Sequence, residues 1–231
     1  MQYFGFEQLI SGPRMAKYLY LCEDTRLAMT LYRANVRLST ELFSILCLFE
    51  VALRNAIDRH YQTTMGRNWL FNATQPVTGY LHTPGCEKSL SNMKDVIGKL
   101  GTSYTHNKAM AELMLGFWIY QFASKEFAAA GSTLLQIFPD RPFGTNHSRV
   151  FKTLKSVNKI RNRIAHHEPI CFGTAPLSIS TSHAAEKYNQ ILEVLKWMSV
   201  DTSAFLYGMD GFEQQKRSID KLDRLQAQLI L

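Results

Sequence analysis

Apolar residues return every three to four positions along nearly the whole chain. That is the period of an α-helix, and it leaves little room for any fold other than an all-α one. Leu27, Leu31, Ala34 and Leu38 form one such stripe, and Phe212, Ile219, Leu222, Leu225 and Leu229 form another near the C-terminus. From Leu42 to Leu53 the sequence is apolar on almost every side, with Glu50 as the interruption. A helix of this kind is expected at the centre of a bundle. It is too short for the roughly 20 apolar residues of a membrane span, so no membrane partner is expected.

Local signals divide the chain further. Ser11-Gly12-Pro13 reads as a helix entry, with proline in the first turn. Ser39 or Thr40 reads as the cap of a helix running to about Met65. Residues 66–83 read as irregular, anchored by Trp69 and Phe71. A helix is predicted from Thr83-Pro84 to near Gly101, and another over 105–123, whose Gly116 suggests close contact with a second helix. A short helix is predicted within 124–137. Asn146 is the expected cap of a helix over 147–167, followed by a loop over 168–181 that includes Pro176. The Ser/Ile/Thr alternation in that loop is too short to predict a sheet. Helices over 182–199 and 212–230 close the chain, the last packing on the bundle or serving as a dimer contact. No linker or repeat appears, so residues 1–231 read as one domain.

Composition adds limits. The 231 residues are 46% apolar and 19% charged, which is globular rather than disordered, and the net charge of +7 is compatible with an anionic partner without requiring one. The four cysteines, Cys22, Cys47, Cys86 and Cys171, lie among apolar residues with no Cys-x-x-Cys spacing. They are expected to be reduced and mostly buried. The first residues lack the charged and apolar regions of a signal peptide, and a cytoplasmic location is expected.

One segment carries chemistry: Arg161-Asn162-Arg163-Ile164-Ala165-His166-His167, followed by Glu168-Pro169. Asn162 and His166 share a helix face, whereas Arg161 and His166 lie about 140° apart on an ideal helix. They converge only where the helix ends, and Pro169 predicts an end there. RNA cleavage without metal requires removing a proton from the ribose 2′-hydroxyl, giving one to the departing 5′-oxygen and neutralising the phosphate. Histidine suits the proton transfers. Arginine offers a permanent bidentate charge for phosphate, and asparagine can orient either. Because one histidine does not easily act as acid and base in the same step, a two-fold dimer around one phosphate is attractive. The structural alternative is that arginine and histidine simply complement the helix dipole.

Further blocks surround this segment in order: Leu31-Tyr32 with Asn35 and Leu38-Ser39; Phe49-Glu50-Val51-Ala52-Leu53-Arg54-Asn55; Trp69; Leu115-Gly116-Phe117-Trp118; and Arg161 through Ile170. With these, the chain from about Ser11 to Ser199 resembles the Abi-like (abortive infection, AbiD/AbiF-type) family of bacterial proteins in the HEPN superfamily. The resemblance implies an all-α HEPN-like helical bundle, here with additional N- and C-terminal helices. It also implies a metal-independent endoribonuclease with an Arg-x4–6-His signature, acting in phage defence or as a toxin. Carried over, the catalytic residues are Arg161, Asn162 and His166. His167 also satisfies the spacing; His166 is preferred because it shares a face with Asn162. Arg54, Asn55 and Glu50 are accessory candidates, Arg54 as a phosphate contact oriented by Glu50, or the two as a structural ion pair. RNA is the expected partner, with a homodimer bearing a composite site and an RNA or protein antitoxin as further partners.

No cofactor is expected. Adjacent histidines project in different directions, and no His-Glu-x-x-His spacing occurs, so no metal site is expected either. A nucleophile elbow, a P-loop and a Rossmann fingerprint are all absent. Arg54-Asn55 followed by His60 fits a loose second signature, but it sits inside a predicted central helix. The alternative function is a non-catalytic RNA-binding or regulatory helical module of a defence system.

Overall fold

A computed structural model describes residues 1–174 and 177–229; of Thr174 and residues 225–229 it describes the backbone alone. Pro176 lies outside the described residues, as do the side chains of Leu225 and Leu229. The chain is all-α: α1 (Tyr3–Ile10), α2 (Gly12–Cys22), α3 (Thr25–Met65), α4 (Trp69–Asn72), α5 (Glu87–Leu100), α6 (His106–Glu112), α7 (Leu115–Tyr120), α8 (Ser124–Ala129), α9 (His147–Ala165), α10 (Ser182–Trp197), α11 (Thr202–Phe205) and α12 (Phe212–Leu229). Among the described residues, no helix is long and apolar enough to cross a membrane.

The chain groups into two compact units. The first holds Met1–Leu46, Ile160–Gln190 and Ser203–Leu231; the second holds Cys47–Lys159 and Ile191–Thr202. In the first, Tyr18 of α2 packs edge-on to Tyr32 of α3 and to Phe172, at ring separations of 5.3 and 4.9 Å. Tyr188 stacks on Phe212 at 4.5 Å, which seats the start of α12. In the second, Trp69, Tyr61 and Trp118 form an aromatic cluster around Asp58.

Several expectations need correcting. No helix begins at Ser39 or Thr40: α3 runs unbroken for 41 residues. The Thr40 hydroxyl donates back to the Val36 carbonyl and Ser44 to that of Thr40, so these hydroxyls are satisfied inside the helix, and no glycine or proline interrupts residues 25–65. Phe71 is 42% exposed, with its ring 5.7 Å from that of Tyr104, whereas Trp69 is buried in the core. The helix expected over 105–123 is two. Leu113 is extended between α6 and α7, and the Trp118 indole donates to its carbonyl, which supports the break. Gly116 is not forced by close packing, since a Cβ there would meet Asn158 only at an ordinary 3.9 Å. Two short antiparallel strands, β1 (Phe172–Thr174) and β2 (Leu177–Ile179), lie where a loop was predicted, pairing Phe172 with Ile179. Cys22, Cys86 and Cys171 are buried, but Cys47 is exposed.

Candidate functional site

The end of α9 is built as a Schellman turn. Asn146 caps its start, its Oδ1 accepting from the Arg149 amide at 3.0 Å. At the other end the His167 amide donates to Ile164 and the Glu168 amide to Arg163, satisfying the last carbonyls. This pattern places His167 at the left-handed position, with φ of +57°, where glycine is the usual occupant. The helix therefore ends at Ala165 with His166 as its cap, in line with the end that Pro169 predicts. The His166 amide still donates to the Asn162 carbonyl at 2.9 Å, so these two residues are stacked one turn apart.

Side chains from α9 itself and from α2 and α3 hold the turn. Arg163 donates through Nη2 to the Pro169 carbonyl, and its Nε lies 3.4 Å from a Glu168 carboxylate oxygen. Arg14 of α2 donates to the His167 carbonyl at 3.0 Å. Buried Asn35 of α3 accepts from the Ile170 amide at 2.9 Å. Sequence reading gave none of these three a role. Arg163 had a local signal, a carboxylate five residues on, whereas the reach of Arg14 and Asn35 is tertiary and had none.

Asn162, His166 and His167 are exposed at this end, and Arg161 is half-buried. The Arg161 Nε is buried and has no hydrogen-bond partner among the described residues, a costly state for a guanidinium nitrogen. Beside the turn lies a groove of about 830 Å³, lined by Arg14, Tyr32, Asn35, Val36, Phe43 and His167 among others. His167, and not His166, lines it. Much of the wall is apolar, and Val36 and Phe43 are exposed there. His183 was not singled out in sequence. Burial lowers its pKa, and the charges of Lys187 and Arg163 lower it further, which favours the neutral ring. Burial pushes the Cys171 thiol up to about 12, so it is not a nucleophile at neutral pH.

The accessory candidates belong to the second unit. Glu50 and Arg54 are both half-buried, and no ion pair joins them; the Arg54 Nε is buried without a partner. Asn55, with Arg59 and His60, lines a separate pocket of about 500 Å³. The His60 imidazole is 2.8 Å from the Thr133 hydroxyl, and burial lowers its pKa. Among the described residues, no three His, Cys, Asp or Glu side chains gather as a metal would require.

No protein-family model matches the chain, and neither a curated protein nor a solved structure was found to be similar to it.

The left-handed turn yields a direct expectation. A β-carbon at φ +57° costs about 1 kcal/mol relative to glycine. His167→Gly is therefore expected to be more stable than His167→Ala by about that amount in urea denaturation. Equal stability of the two variants would mean that residue 167 does not hold the left-handed conformation in solution.

Proposed function

We propose that the chain is a metal-independent endoribonuclease of the HEPN type, acting in phage defence or as a toxin. The observation that carries this reading is the end of α9. There an arginine with a buried Nε that has no partner among the described residues directly precedes an exposed asparagine, and an exposed histidine follows that asparagine by one helical turn, at a helix end open to solvent. In this reading Arg161 neutralises the scissile phosphate. His166 takes the proton from the 2′-hydroxyl, the histidine of a second copy gives one to the departing 5′-oxygen, and His167 is the second candidate for the role of His166. Asn162, one helical turn before His166, is the side chain assigned to orient it when RNA is bound. A second copy of the chain supplies the other histidine and arginine. The apolar groove beside His167, with exposed Val36 and Phe43, is the type of surface a protein partner covers. Arg54, Asn55 and Glu50 remain accessory candidates without an assigned contact.

One observation favours the second reading, a binding or regulatory module. Among the described residues the His166 ring has no hydrogen-bond partner, whereas a catalytic imidazole is usually oriented through its second nitrogen. The two histidines separate these readings. His166→Ala is expected to bind RNA like the wild type but to cut it at least about a hundredfold more slowly, while His167→Ala keeps most of the activity. If His167→Ala alone loses cleavage, the proton-transfer role moves to the residue lining the groove. Undiminished cleavage by both single variants and by the double variant would refute catalysis by this segment.

A further inference from the structure

The first unit has a second cationic feature that the end of α9 does not use. Arg26, Thr30, Arg33 and Arg37 recur along α3 at intervals of four, three and four residues. At 100° per residue they fall within about 60° of one another, a single row about 16 Å long. All four are exposed, and none of the three arginines forms an ion pair among the described residues. The row ends at Glu41, whose carboxylate accepts from the Gly211 amide at 3.2 Å.

The row is also concave. Thr30, Arg33, Ala34 and Arg37 face Ser218 and Leu222 of α12 across a cleft of about 260 Å³. No carboxylate lines it. The small Ala34 side chain leaves room between the two guanidinium groups. Arg33 is held in place, its guanidinium 4.9 Å above the ring of Phe6, so part of the entropy of ordering it is already spent. On α12 the exposed Lys221 and Asp223 offset one another, so the net positive charge at the mouth is that of Arg33 and Arg37.

We infer that this cleft and the arginine row beside it bind the phosphate backbone of a single-stranded nucleic acid, without reading its sequence. Two guanidinium groups one helical turn apart, about 6 Å along the axis, suit successive phosphates on a strand. The cleft accepts these two phosphates and the row continues to Arg26 for a further one. An anionic membrane fits less well. A membrane-binding helix sets large apolar side chains beside its cations, whereas here Thr30 and Ala34 lie between the arginines. The inference goes beyond the nuclease reading and does not depend on it.

Fluorescence anisotropy with a labelled 2′-O-methyl oligouridine tests it on the full chain. That probe lacks the attacking hydroxyl, so binding is read whether or not the protein cleaves RNA. The double variant Arg33→Gln/Arg37→Gln is compared with Lys94→Gln/Lys108→Gln, which removes the same charge from exposed positions of the other unit. The arginine variant is expected to bind at least tenfold more weakly at low salt. Its plot of log affinity against log salt is expected to be shallower by about 1.4, from two lost phosphate contacts at about 0.7 each. The lysine variant keeps the wild-type slope. Equal losses in both variants, no binding by the wild type, or an arginine-dependent affinity for phosphatidylserine vesicles and not for the oligonucleotide would each overturn the inference. All four residues are exposed, and unchanged circular dichroism and Tm verify that the variants fold.

Discussion

Arg161→Ala is expected to reduce RNA cleavage by at least about a thousandfold while leaving the fold intact. The magnitude follows from the task assigned to the side chain. A guanidinium that neutralises charge developing on a phosphate in a partly desolvated site acts in the transition state, where loss of one such donor costs about two to three orders of magnitude, and more for an arginine on a phosphoryl group. The fold should persist because the Arg161 Nε makes no hydrogen bond that alanine would break. The turn is held instead by Arg163, Arg14 and Asn35. Arg161→Lys keeps the charge but loses the bidentate fork, and is expected to lie between alanine and the wild type. If expression of the wild type arrests growth, the alanine variant is expected to be tolerated. A well-folded alanine variant with full cleavage or full toxicity would remove Arg161 from the mechanism.

The largest effect on stability is expected at Asp58, which has no part in the proposed chemistry. This carboxylate is buried and accepts from the Trp69 indole at 2.8 Å and from the Gln62 amide at 2.6 Å. The His106 Nε2 lies 2.6 Å from it. Three groups lose their acceptor at once in Asp58→Ala, and the indole is left with a buried, unsatisfied donor. Leaving such partners unpaired costs about 3–5 kcal/mol, which for a chain of this length lowers Tm by on the order of 10 °C. Asp58→Asn retains one oxygen for Trp69 and His106, and is expected to cost about 1–2 kcal/mol. Thermal denaturation followed by circular dichroism ranks the three proteins. A Tm for Asp58→Ala within a degree or two of the wild type would mean that this network does not hold the second unit together.

What could be read from the sequence was what the local chain determines. The apolar period gave helices with close to their observed limits at the start of α2, at the end of α5, at both ends of α9 and along α12. Asn146 was legible as a cap because an asparagine side chain reaches an amide three residues ahead whatever else the chain does. The failures occurred where distant contacts chose between local options. Ser39 and Thr40 can cap a helix or bond back within one, and the neighbouring apolar stripe favoured continuation. The strands β1 and β2 are three residues each, too short for a pattern, and the ring of Tyr18 against Phe172 helps hold them in place. At the candidate site, the presence of Arg161, Asn162, His166 and His167 at a helix end was legible. The left-handed turn at His167 was not, because no glycine marks it. Nor was the anchoring by Arg14, which lies 153 residues away in sequence. Glu50 and Arg54 had the right spacing to pair yet do not, since spacing permits an ion pair without requiring one.

The measurement that bears most directly on the proposed chemistry is the identity of the ends left on cleaved RNA, with EDTA in the reaction. Attack by the neighbouring 2′-hydroxyl, with His166 transferring protons and Arg161 on the phosphate, predicts 2′,3′-cyclic phosphate and 5′-hydroxyl ends at an undiminished rate, and no such products from the Arg161→Ala protein. Ends bearing 5′-phosphate, or cleavage that stops when divalent ions are chelated, would contradict it.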